Sequence, residues 1–380
     1  MKIAIISTFR THCGIAFNTE YVANELTKLV DLKIFAEKIF PPFTEIPPKD
    51  DTIKLNYERC WKRGENFKEL EKKISEFSPD VVHFNFTGGI YNEFYEPFGP
   101  FQNFVSELRN KKIKIVLTLQ DVLDYFPQNF QRLSLWYKKL QAKFIVMNQD
   151  MVNALQQWYP EGKENVILIP HGCPKFPLIS TSDARKSLEI SSQDFLLSSF
   201  GFYGPYKGMD KIINAIPKID IPNFKVIFVG GFHELSEYIH RKHINDCIKL
   251  AIKLNVSNKV IFLNKLILAD EFGLWCSASD FIISLQEMVY VRVASSSVHI
   301  GLSFGKPHIM GNNPRYSVFV DGTHCIKTDE NKIAETIMSL YNNKDLQNKI
   351  SRGAFEYAQE NSFEMVAKKY LEVYESCLKN

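Results

Sequence analysis

Three short segments of the chain carry residue types that suit the binding of a phosphate group or a sugar. In the first, residues 11–16 (THCGIA), Gly14 and Ile15 lie just before a predicted helix that starts near residue 18. A glycine in such a turn lets the backbone approach a ligand, and the start of a helix offers N–H groups and the positive end of the helix dipole. Gly14 and Ile15 are therefore candidate phosphate-binding residues, with a tight turn that binds nothing as the alternative.

The second segment, residues 201–208 (GFYGPYKG), connects a predicted strand with a predicted helix over 209–219. Lys207 can neutralise a diphosphate with its compact ammonium charge, and Gly204 lies in the same turn. The segment does not satisfy the P-loop pattern G-x-x-x-x-G-K-[ST], and the first strand is not followed by the dinucleotide pattern G-x-G-x-x-G. We predict that Gly204 and Lys207 contribute to a phosphate site of another kind.

The third segment consists of three successive serines, Ser295, Ser296 and Ser297, before a predicted helix over 298–304. Serine at the start of a helix often caps the N–H groups that have no partner within the helix. The same N–H groups and the serine hydroxyls can instead bind an anion. Three serines are more than a cap requires, so all three are candidate phosphate-binding residues, and capping remains the alternative.

Short apolar runs with β-strand character alternate with helical patterns along the whole chain, which predicts an α/β fold. Predicted strands start at residues 2, 31, 80, 114, 143 and 165, and a second series starts at residues 195, 225, 259, 280 and 306. Several are apolar at consecutive positions, as expected for parallel strands that helices cover on both faces. We therefore predict two Rossmann-like, doubly wound parallel-sheet domains facing a cleft, because ligands bind at the carboxyl ends of such strands.

A proline-rich segment, residues 170–177, separates the two series of strands. We predict an N-terminal domain over 1–175 and a C-terminal domain over 176–360. A final helix over 361–380 can cross back to the first domain.

The composition excludes several classes of protein. The chain has 380 residues and a net charge of +3, which gives no reason to expect a nucleic-acid partner. Its seven cysteines are scattered and never spaced as C-x-x-C, which speaks against structural zinc and a disulfide framework. No apolar run approaches the roughly 20 residues of a membrane-spanning helix, and the first residues resemble a strand more than a signal peptide. We expect a cytoplasmic protein.

Aromatic and basic residues are mixed at 61–63 and at 136–139. Such segments can lie on an anionic membrane surface, so peripheral membrane contact is one interpretation. The alternative is that they are solvated helix faces.

Taken in order, the three segments and several shorter motifs resemble the family-4 retaining glycosyltransferases, which have the GT-B fold. The resemblance covers nearly the whole chain, and the ordered set is more specific than any one motif. The motifs are C-G-I-A at 13–16, T-L-x-D at 118–121, I-P-H-G at 169–172, K-G-M-D at 207–210, A-S-D at 278–280 and F-G-K-P at 304–307.

The resemblance implies that the C-terminal domain binds a nucleotide-sugar donor, linked to UDP or GDP. The N-terminal domain would bind a glycan, glycoconjugate or lipid-linked acceptor. Lys207 matches the family's diphosphate-binding lysine, and Gly14 matches its glycine-rich turn near the donor. No metal or other cofactor is expected, because protein cations and helix N-termini stabilise the charge on the leaving diphosphate. Transfer would retain the anomeric configuration.

The sequence departs from the family at positions close to the chemistry. The family's arginine five positions before the lysine is Phe202, and its two glutamates align with Arg292 and Ile300. Gln120, in T-L-Q-D, replaces a histidine that contacts the donor sugar. In one interpretation, the serines hold the diphosphate and Arg292 supplies the missing cation. The alternatives are a binding protein with weak or no catalysis, and a nucleotide-sugar epimerase of the same fold.

The remaining candidates follow from their positions at strand ends. Gln120, Asp121, Lys207 and Arg292 are the candidate catalytic residues. We place His83, Asn85 and His171 on the acceptor side, although buried, hydrogen-bonded histidines are a common alternative. Leu263 and Leu266 are candidates for contact with the base through their main chain.

Overall fold

The computed structural model describes residues 1–47, 54–91, 98–123, 130–265, 269–287 and 291–379. The chain divides into two compact units. The first comprises Met1–Gly172, Tyr290–Ala294 and Phe363–Asn380, and the second comprises Cys173–Val289 and Ser295–Ser362. The sequence-based boundaries did not include the short segment Tyr290–Ala294 in the first unit. No helix in the described part of the chain is long and apolar enough to cross a membrane.

The first unit is built on a seven-stranded sheet of parallel strands in the order β3-β2-β1-β4-β5-β7-β8. The strands are β1 Lys2–Ser7, β2 Asp31–Glu37, β3 Tyr57–Trp61, β4 Val81–Phe86, β5 Lys114–Leu119, β6 Asp121–Leu123, β7 Lys143–Val146 and β8 Val166–Leu168. β6 lies outside this sheet and pairs with β13, Val291–Val293, in antiparallel orientation. The strand order reverses between β1 and β4, which is where doubly wound sheets bind ligands.

Helices cover both faces of this sheet, which explains why its central strands are apolar at consecutive positions. The helices are α1 Gly14–Leu26, α2 Lys68–Phe77, α3 Gly88–Tyr91, α4 Pro100–Asn110, α5 Phe130–Leu140, α6 Gln149–Trp158 and α14 Phe363–Lys379. The last helix packs against α1, where the rings of Tyr21 and Phe363 stack with 5.0 Å between centroids. One face of α14 is buried in the core with the strands, through Val366, Tyr370 and Tyr374. Helix α14 is therefore part of the first unit.

The second unit has a six-stranded sheet of parallel strands in the order β11-β10-β9-β12-β14-β15. These strands are β9 Phe195–Phe200, β10 Phe224–Gly230, β11 Val260–Asn264, β12 Phe281–Ser284, β14 His308–Gly311 and β15 Ile326–Thr328. The helices are α7 Thr181–Ser187, α8 Met209–Ala215, α9 Glu237–Lys253, α10 Ala269–Ala278, α11 Ser296–Leu302, α12 Ile333–Tyr341 and α13 Lys344–Glu360. Its strand order reverses between β9 and β12. The prediction of two Rossmann-like parallel sheets is confirmed.

Candidate functional site

The carboxyl ends of β9 and β12 form the switch point of the second sheet, where a ligand is expected. Gly201 follows β9 directly and has a φ of 121°, a backbone conformation that residues with a Cβ rarely adopt. Its carbonyl oxygen lies close to Gly230, at the end of β10: a Cβ on Gly230 would lie 2.0 Å from that oxygen. Two glycines therefore allow the backbone to fold tightly at this end of the sheet.

The turn after Gly201 brings Lys207 back over the strand end. Residues Pro205–Lys207 form a 3₁₀ turn, and Gly208, with a φ of 68°, leads into α8. A Cβ on Gly201 would lie 2.6 Å from Lys207 Nζ. This Nζ donates a hydrogen bond to Gln286 Oε1 at 3.4 Å, and among the described residues it forms no ion pair with a carboxylate. Lys207 thus presents a charge at the switch point that no acidic side chain of the described residues neutralises.

The serine segment lies beside this lysine. The Ser295 hydroxyl donates to Gln286 Oε1 at 3.4 Å and lies 3.3 Å from Ser297 Oγ. Ser297 Oγ would be 3.9 Å from a Cβ on Gly201. Although Ser295 is the residue before α11, its side chain makes no capping hydrogen bond to the helix. The hydroxyls of Ser295 and Ser297 are therefore directed towards the lysine and Gln286, and capping does not explain them.

Gly204 and Ser296 complete the predicted phosphate-binding residues of this unit. Gly204 is buried and precedes the 3₁₀ turn, and its carbonyl accepts the Lys207 N–H at 3.0 Å. Ser296 is half-buried and begins α11. Gln286 contacts both Lys207 and Ser295. The sequence did not predict this residue, because it lies in no recognisable motif.

Burial and, to a smaller extent, the positive charge of Arg315 together lower the pKa of Lys207 to about 7. An ammonium group under these conditions gains strongly from an anion that binds beside it. Glu287, the residue after Gln286, does not act as that anion, because its side chain forms an ion pair with Lys211 on α8. The constellation is therefore suited to bind an anionic group from outside the chain.

Two of the family positions that differ in this chain, Phe202 and Ile300, carry apolar side chains. The Phe202 ring packs against His233, with 5.1 Å between centroids. Ile300 lies within α11 and is buried. Neither position therefore supplies a charge, which leaves the third departure, Arg292, as the predicted replacement.

Arg292 lies in the first unit, whereas the sequence-based boundaries placed it in the C-terminal domain. There it was predicted to replace the cation that is missing at Phe202. It is part of β13, where it faces Val122 of β6 in the first unit. Its guanidinium forms a hydrogen-bonded ion pair with Asp150 on α6, and both side chains are largely buried. The charge of Arg292 is thus neutralised within the first unit, which is evidence for a structural role.

Replacing Arg292 with glutamine is expected to lower the free energy of unfolding by about 1–3 kcal/mol, because a buried carboxylate loses its partner. Nucleotide binding should not change. Thermal unfolding and nucleotide titration test the two statements. Asp150→Asn is the matched control: the two single effects should not add in the double variant, since they remove one interaction. A large loss of nucleotide affinity in Arg292→Gln alone would restore its predicted catalytic role.

At the carboxyl ends of β1, β4 and β5, polar side chains form a connected group. Asn85 donates to Thr19 Oγ1 at 2.8 Å and to Ser7 Oγ at 3.3 Å, and its own Oδ1 accepts from Gln120 at 3.5 Å. Thr19 lies on α1. These contacts fix the strand ends to the helix, so Asn85 acts as a bridge within the first unit.

The predicted turn before α1 lies at the same end of the sheet. Gly14 is the first residue of α1 and is exposed, while Ile15 is half-buried. Cys13, the residue before the helix, makes no capping hydrogen bond through its side chain. The start of this 13-residue helix is therefore exposed at Gly14, and ligand binding by Gly14 and Ile15 stays a prediction.

Asp121 follows this group along the chain. Its Oδ2 accepts a hydrogen bond from Thr87 at 2.7 Å, while its Oδ1 is buried without a partner among the described residues. Burial raises the pKa of this carboxyl, and the Thr87 hydrogen bond opposes the increase. A carboxyl with an unused oxygen suits a hydrogen bond to a substrate hydroxyl, which keeps Asp121 a candidate catalytic residue.

The two histidines predicted on the acceptor side are buried. His83 lies in the centre of β4, with its ring nitrogens 2.6 Å from Tyr374 Oη and 2.8 Å from Thr118 Oγ1, and burial lowers its pKa to about 3. His171 is also buried, with Nδ1 2.8 Å from the Gly172 oxygen and a pKa lowered by burial to about 4. Both rings are uncharged at neutral pH. The structure favours the alternative of buried, hydrogen-bonded histidines that stabilise the fold.

Leu263, a candidate for contact with the base, lies on β11. Its carbonyl oxygen already accepts hydrogen bonds from Tyr203 Oη at 2.5 Å and from the Lys265 N–H at 2.7 Å. A base would therefore have to use another group of this strand. Leu266 lies outside the described residues.

Replacing Gly230 with alanine is expected to displace Gly201 and the turn that carries Lys207, because the new Cβ would collide with backbone atoms. The free energy of unfolding should fall by about 1–3 kcal/mol, as in other overpacked sites. Nucleotide affinity should fall with it. Thermal unfolding and nucleotide titration measure both effects. Gly89→Ala is the control, since nothing lies within 4 Å of its Cβ; equal effects in both variants would contradict the steric argument.

Among the described residues, no group of three or more His, Cys, Asp or Glu side chains could hold a metal ion. The polar groups gathered at the switch point of the second sheet are cations, hydroxyls and an amide. These groups suit phosphate oxygens.

Comparison with known protein families gives one match. Residues 180–357 match the family described as glycosyl transferases group 1. This segment contains Gly201, Lys207 and all three serines of the candidate site. No curated protein sequence matches the chain.

Solved structures share the fold over the whole chain. A glycosyltransferase from Rickettsia africae is 16% identical, with a TM-score of 0.77 and coverage of 100% of this chain and 99% of that one. HepE from Anabaena, solved with UDP and glucose, is 16% identical, with a TM-score of 0.75 and coverage of 99% and 100%. A sucrose-phosphate synthase from Thermosynechococcus elongatus is 15% identical, with a TM-score of 0.75 and coverage of 100% and 99%. The chain has the two-domain GT-B fold, and together with the family match this supports a glycosyltransferase.

Proposed function

We propose that the protein is a glycosyltransferase that moves a sugar from a nucleotide-sugar donor, linked to UDP or GDP, to a glycan, glycoconjugate or lipid-linked acceptor. The observation that carries the proposal is the position of Lys207, Ser295 and Ser297 around Gly201, at the switch point of the second sheet. This is the expected place for a ligand in such a sheet. The match of residues 180–357 to glycosyl transferases group 1 supports the same conclusion.

The chemistry follows from the charges of the site. When the bond between the sugar and the diphosphate breaks, negative charge grows on the diphosphate. Preorganised donors aimed at that charge stabilise the transition state, and removal of one typically slows a reaction about 100- to 1,000-fold. Lys207 and the hydroxyls of Ser295 and Ser297 are such donors. We propose that they make a metal ion unnecessary and that the sugar is transferred with retention of configuration.

The first unit supplies the groups for the acceptor and for the transferred sugar in this proposal. Asp121 offers its unused oxygen to a hydroxyl, and Gln120 is held in position by Asn85. Gly14 and Ile15, at the open start of α1, are the proposed contacts of this unit with the donor.

The direct test is a panel of UDP-, GDP- and ADP-sugars in a thermal-shift assay, followed by incubation of any stabilising donor with and without EDTA. Slow release of the free sugar or its transfer, at equal rates with and without EDTA, is the expected result. Failure of every donor to bind or react would contradict the proposal. Anomeric configuration is read from the product by NMR, and inversion would exclude retention.

The same assay separates the two other functions that the departures at Phe202, Arg292 and Ile300 leave open. Stabilisation by a nucleotide sugar without turnover, even with acceptors added, would identify a binding protein. Release of the nucleotide with an isomerised sugar would identify an epimerase.

A further inference from the structure

A second cation of the second unit, Arg315, has no role in any motif and lies on a turn that contacts Gln286, the residue that Lys207 also contacts. Arg315 belongs to the 3₁₀ turn Pro314–Tyr316, which follows β14. Its side chain is 6% exposed. The turn is attached to Gln286 by two hydrogen bonds: Asn313 Nδ2 donates to the Gln286 oxygen at 2.9 Å, and the Gln286 N–H donates to Tyr316 Oη at 3.2 Å. Gln286 also contacts Lys207, so the turn that carries Arg315 and the Lys207 side chain share one hydrogen-bonding partner.

The bonds that Arg315 makes do not account for its charge. One Nη donates to the Glu287 backbone oxygen at 3.3 Å, and the Nε is buried without a partner among the described residues. No described carboxylate lies within ion-pair distance of its guanidinium, since the Glu287 carboxylate pairs with Lys211. Other buried arginines of this chain differ in this respect, for example Arg185, which pairs with Asp280 at 2.6 Å. A buried cation without a counter-ion is strongly unfavourable unless an anion binds there.

We propose that Arg315 is the second phosphate-binding cation of the site and, together with Lys207, holds the diphosphate of the donor. This inference rests on the proposed function and assigns to Arg315 the charge that is missing at Phe202. The unused N–H of its guanidinium can donate to a phosphate oxygen, while Lys207 acts as a compact charge beside it. The positive charge of Arg315 also lowers the pKa of Lys207, as expected for two cations in one part of the unit.

The proposal also explains why the site tolerates a lysine and an arginine close together. Two like charges in one site repel each other while it is empty. A bound diphosphate removes this repulsion, because each cation then faces phosphate oxygens. Binding energy should therefore depend on both side chains, and the empty protein should become more stable when either cation is removed.

The test uses inorganic pyrophosphate and UDP as probes and calorimetric titration at pH 7 of the full chain. Arg315→Gln is expected to weaken the binding of both probes about 10- to 100-fold, the size of a lost charge-assisted hydrogen bond. Arg315→Lys should recover part of the loss, since it keeps the charge. Arg241→Gln is the charge-matched control in the same unit, because Arg241 is exposed and pairs with Glu237 on α9. The affinity of this variant for both probes should equal that of the natural chain.

Thermal unfolding without ligand separates this role from a structural one. If Arg315 binds phosphate, Arg315→Gln should unfold at the same temperature as the natural chain or a higher one. A lower temperature together with unchanged affinity for both probes would overturn the inference. Should the glutamine variant not fold, Arg315→Met takes its place, and unchanged affinity for both probes in that variant would overturn the inference as well. If Arg315→Gln loses pyrophosphate binding and the natural chain transfers no sugar, the role of Arg315 is supported and the proposed glycosyltransferase is contradicted. The two failures can therefore be told apart.

Discussion

Replacement of Lys207 with methionine is expected to reduce donor binding and turnover at least 100-fold while making the ligand-free protein more stable. The loss follows from removing one preorganised donor at a developing negative charge. The gain follows from the burial of Lys207, which lowers its pKa to about 7. Between pH 7 and the ordinary lysine pKa of 10.5, the unfolded chain binds a proton that the folded chain does not. The natural chain is therefore destabilised at neutral pH, and methionine, of similar length, removes this effect.

The expected stabilisation is about 1–3 kcal/mol at pH 7, because the Lys207 side chain keeps some contact with solvent. This corresponds to a rise in the unfolding temperature of several degrees for a domain of this size. Thermal unfolding of the two chains without ligand measures it, and calorimetric titration with a nucleotide sugar measures the loss of binding. The difference in stability should shrink as the pH rises towards 10, because the natural lysine then loses its charge in both states.

Lys211→Met is the control for this prediction. Lys211 lies one helical turn further along the chain, on α8, and pairs with Glu287 and Glu330. Its removal should leave the stability unchanged or reduced, in contrast to Lys207. A lower unfolding temperature in Lys207→Met, with donor binding intact, would mean that Lys207 stabilises the fold and does not bind phosphate.

The sequence predicted those parts of the site that lie within one local segment. Lys207 follows a strand and precedes a helix, and the three serines precede another helix, so their positions at strand ends could be derived from the alternation of elements alone. The apolar runs starting at residues 2 and 195 correspond to β1 and β9. The pattern of two parallel sheets followed from many such runs, each of them long enough to show its type.

Residues that act through distant contacts could not be predicted in this way. Gln286 and Arg315 join Lys207 only after the turns that follow β12 and β14 come together in the folded sheet. The sequence placed Arg292 in the second domain for a similar reason, whereas the structure assigns it to the first unit. Strand β13 has three residues, too few for a periodic signal, and pairs with β6, which lies 168 or more positions earlier in the sequence. A side chain at a given distance from a motif in the sequence can therefore belong to another unit in space.

Donor binding is expected to weaken as the pH rises above about 7, by up to tenfold per pH unit. In the empty site the pKa of Lys207 is about 7, because of burial and the charge of Arg315. A bound diphosphate raises this pKa, since opposite charge favours the ammonium form. Above pH 7 binding must therefore be accompanied by the uptake of a proton, and it becomes weaker until the pH reaches the higher pKa of the complex. Below pH 7 the lysine is charged in both states, and affinity should be constant.

Two described titratable groups near Lys207, Tyr206 and His240, do not change their charge in this range. Burial raises the pKa of Tyr206 and lowers that of His240, so both are uncharged between pH 7 and 9. Arg315 keeps its charge. A nucleotide sugar is a suitable probe because its diphosphate, esterified at both ends, has no second ionisation near neutral pH, unlike UDP. Affinity measured by calorimetry from pH 6 to 9 in buffers of different ionisation enthalpy gives both the slope and the number of protons taken up.

Lys207→Arg provides the decisive comparison, because arginine remains charged over the whole range. Its affinity at pH 7 is expected to be lower than that of the natural chain, since the planar guanidinium does not fit the space above Gly201 as the lysine does. Its dependence on pH, however, should be flat, and no proton should be taken up. The same slope in both chains would assign the titration to another group and remove Lys207 from the phosphate site. A slope in the natural chain alone would tie the charge that binds the donor to this one side chain.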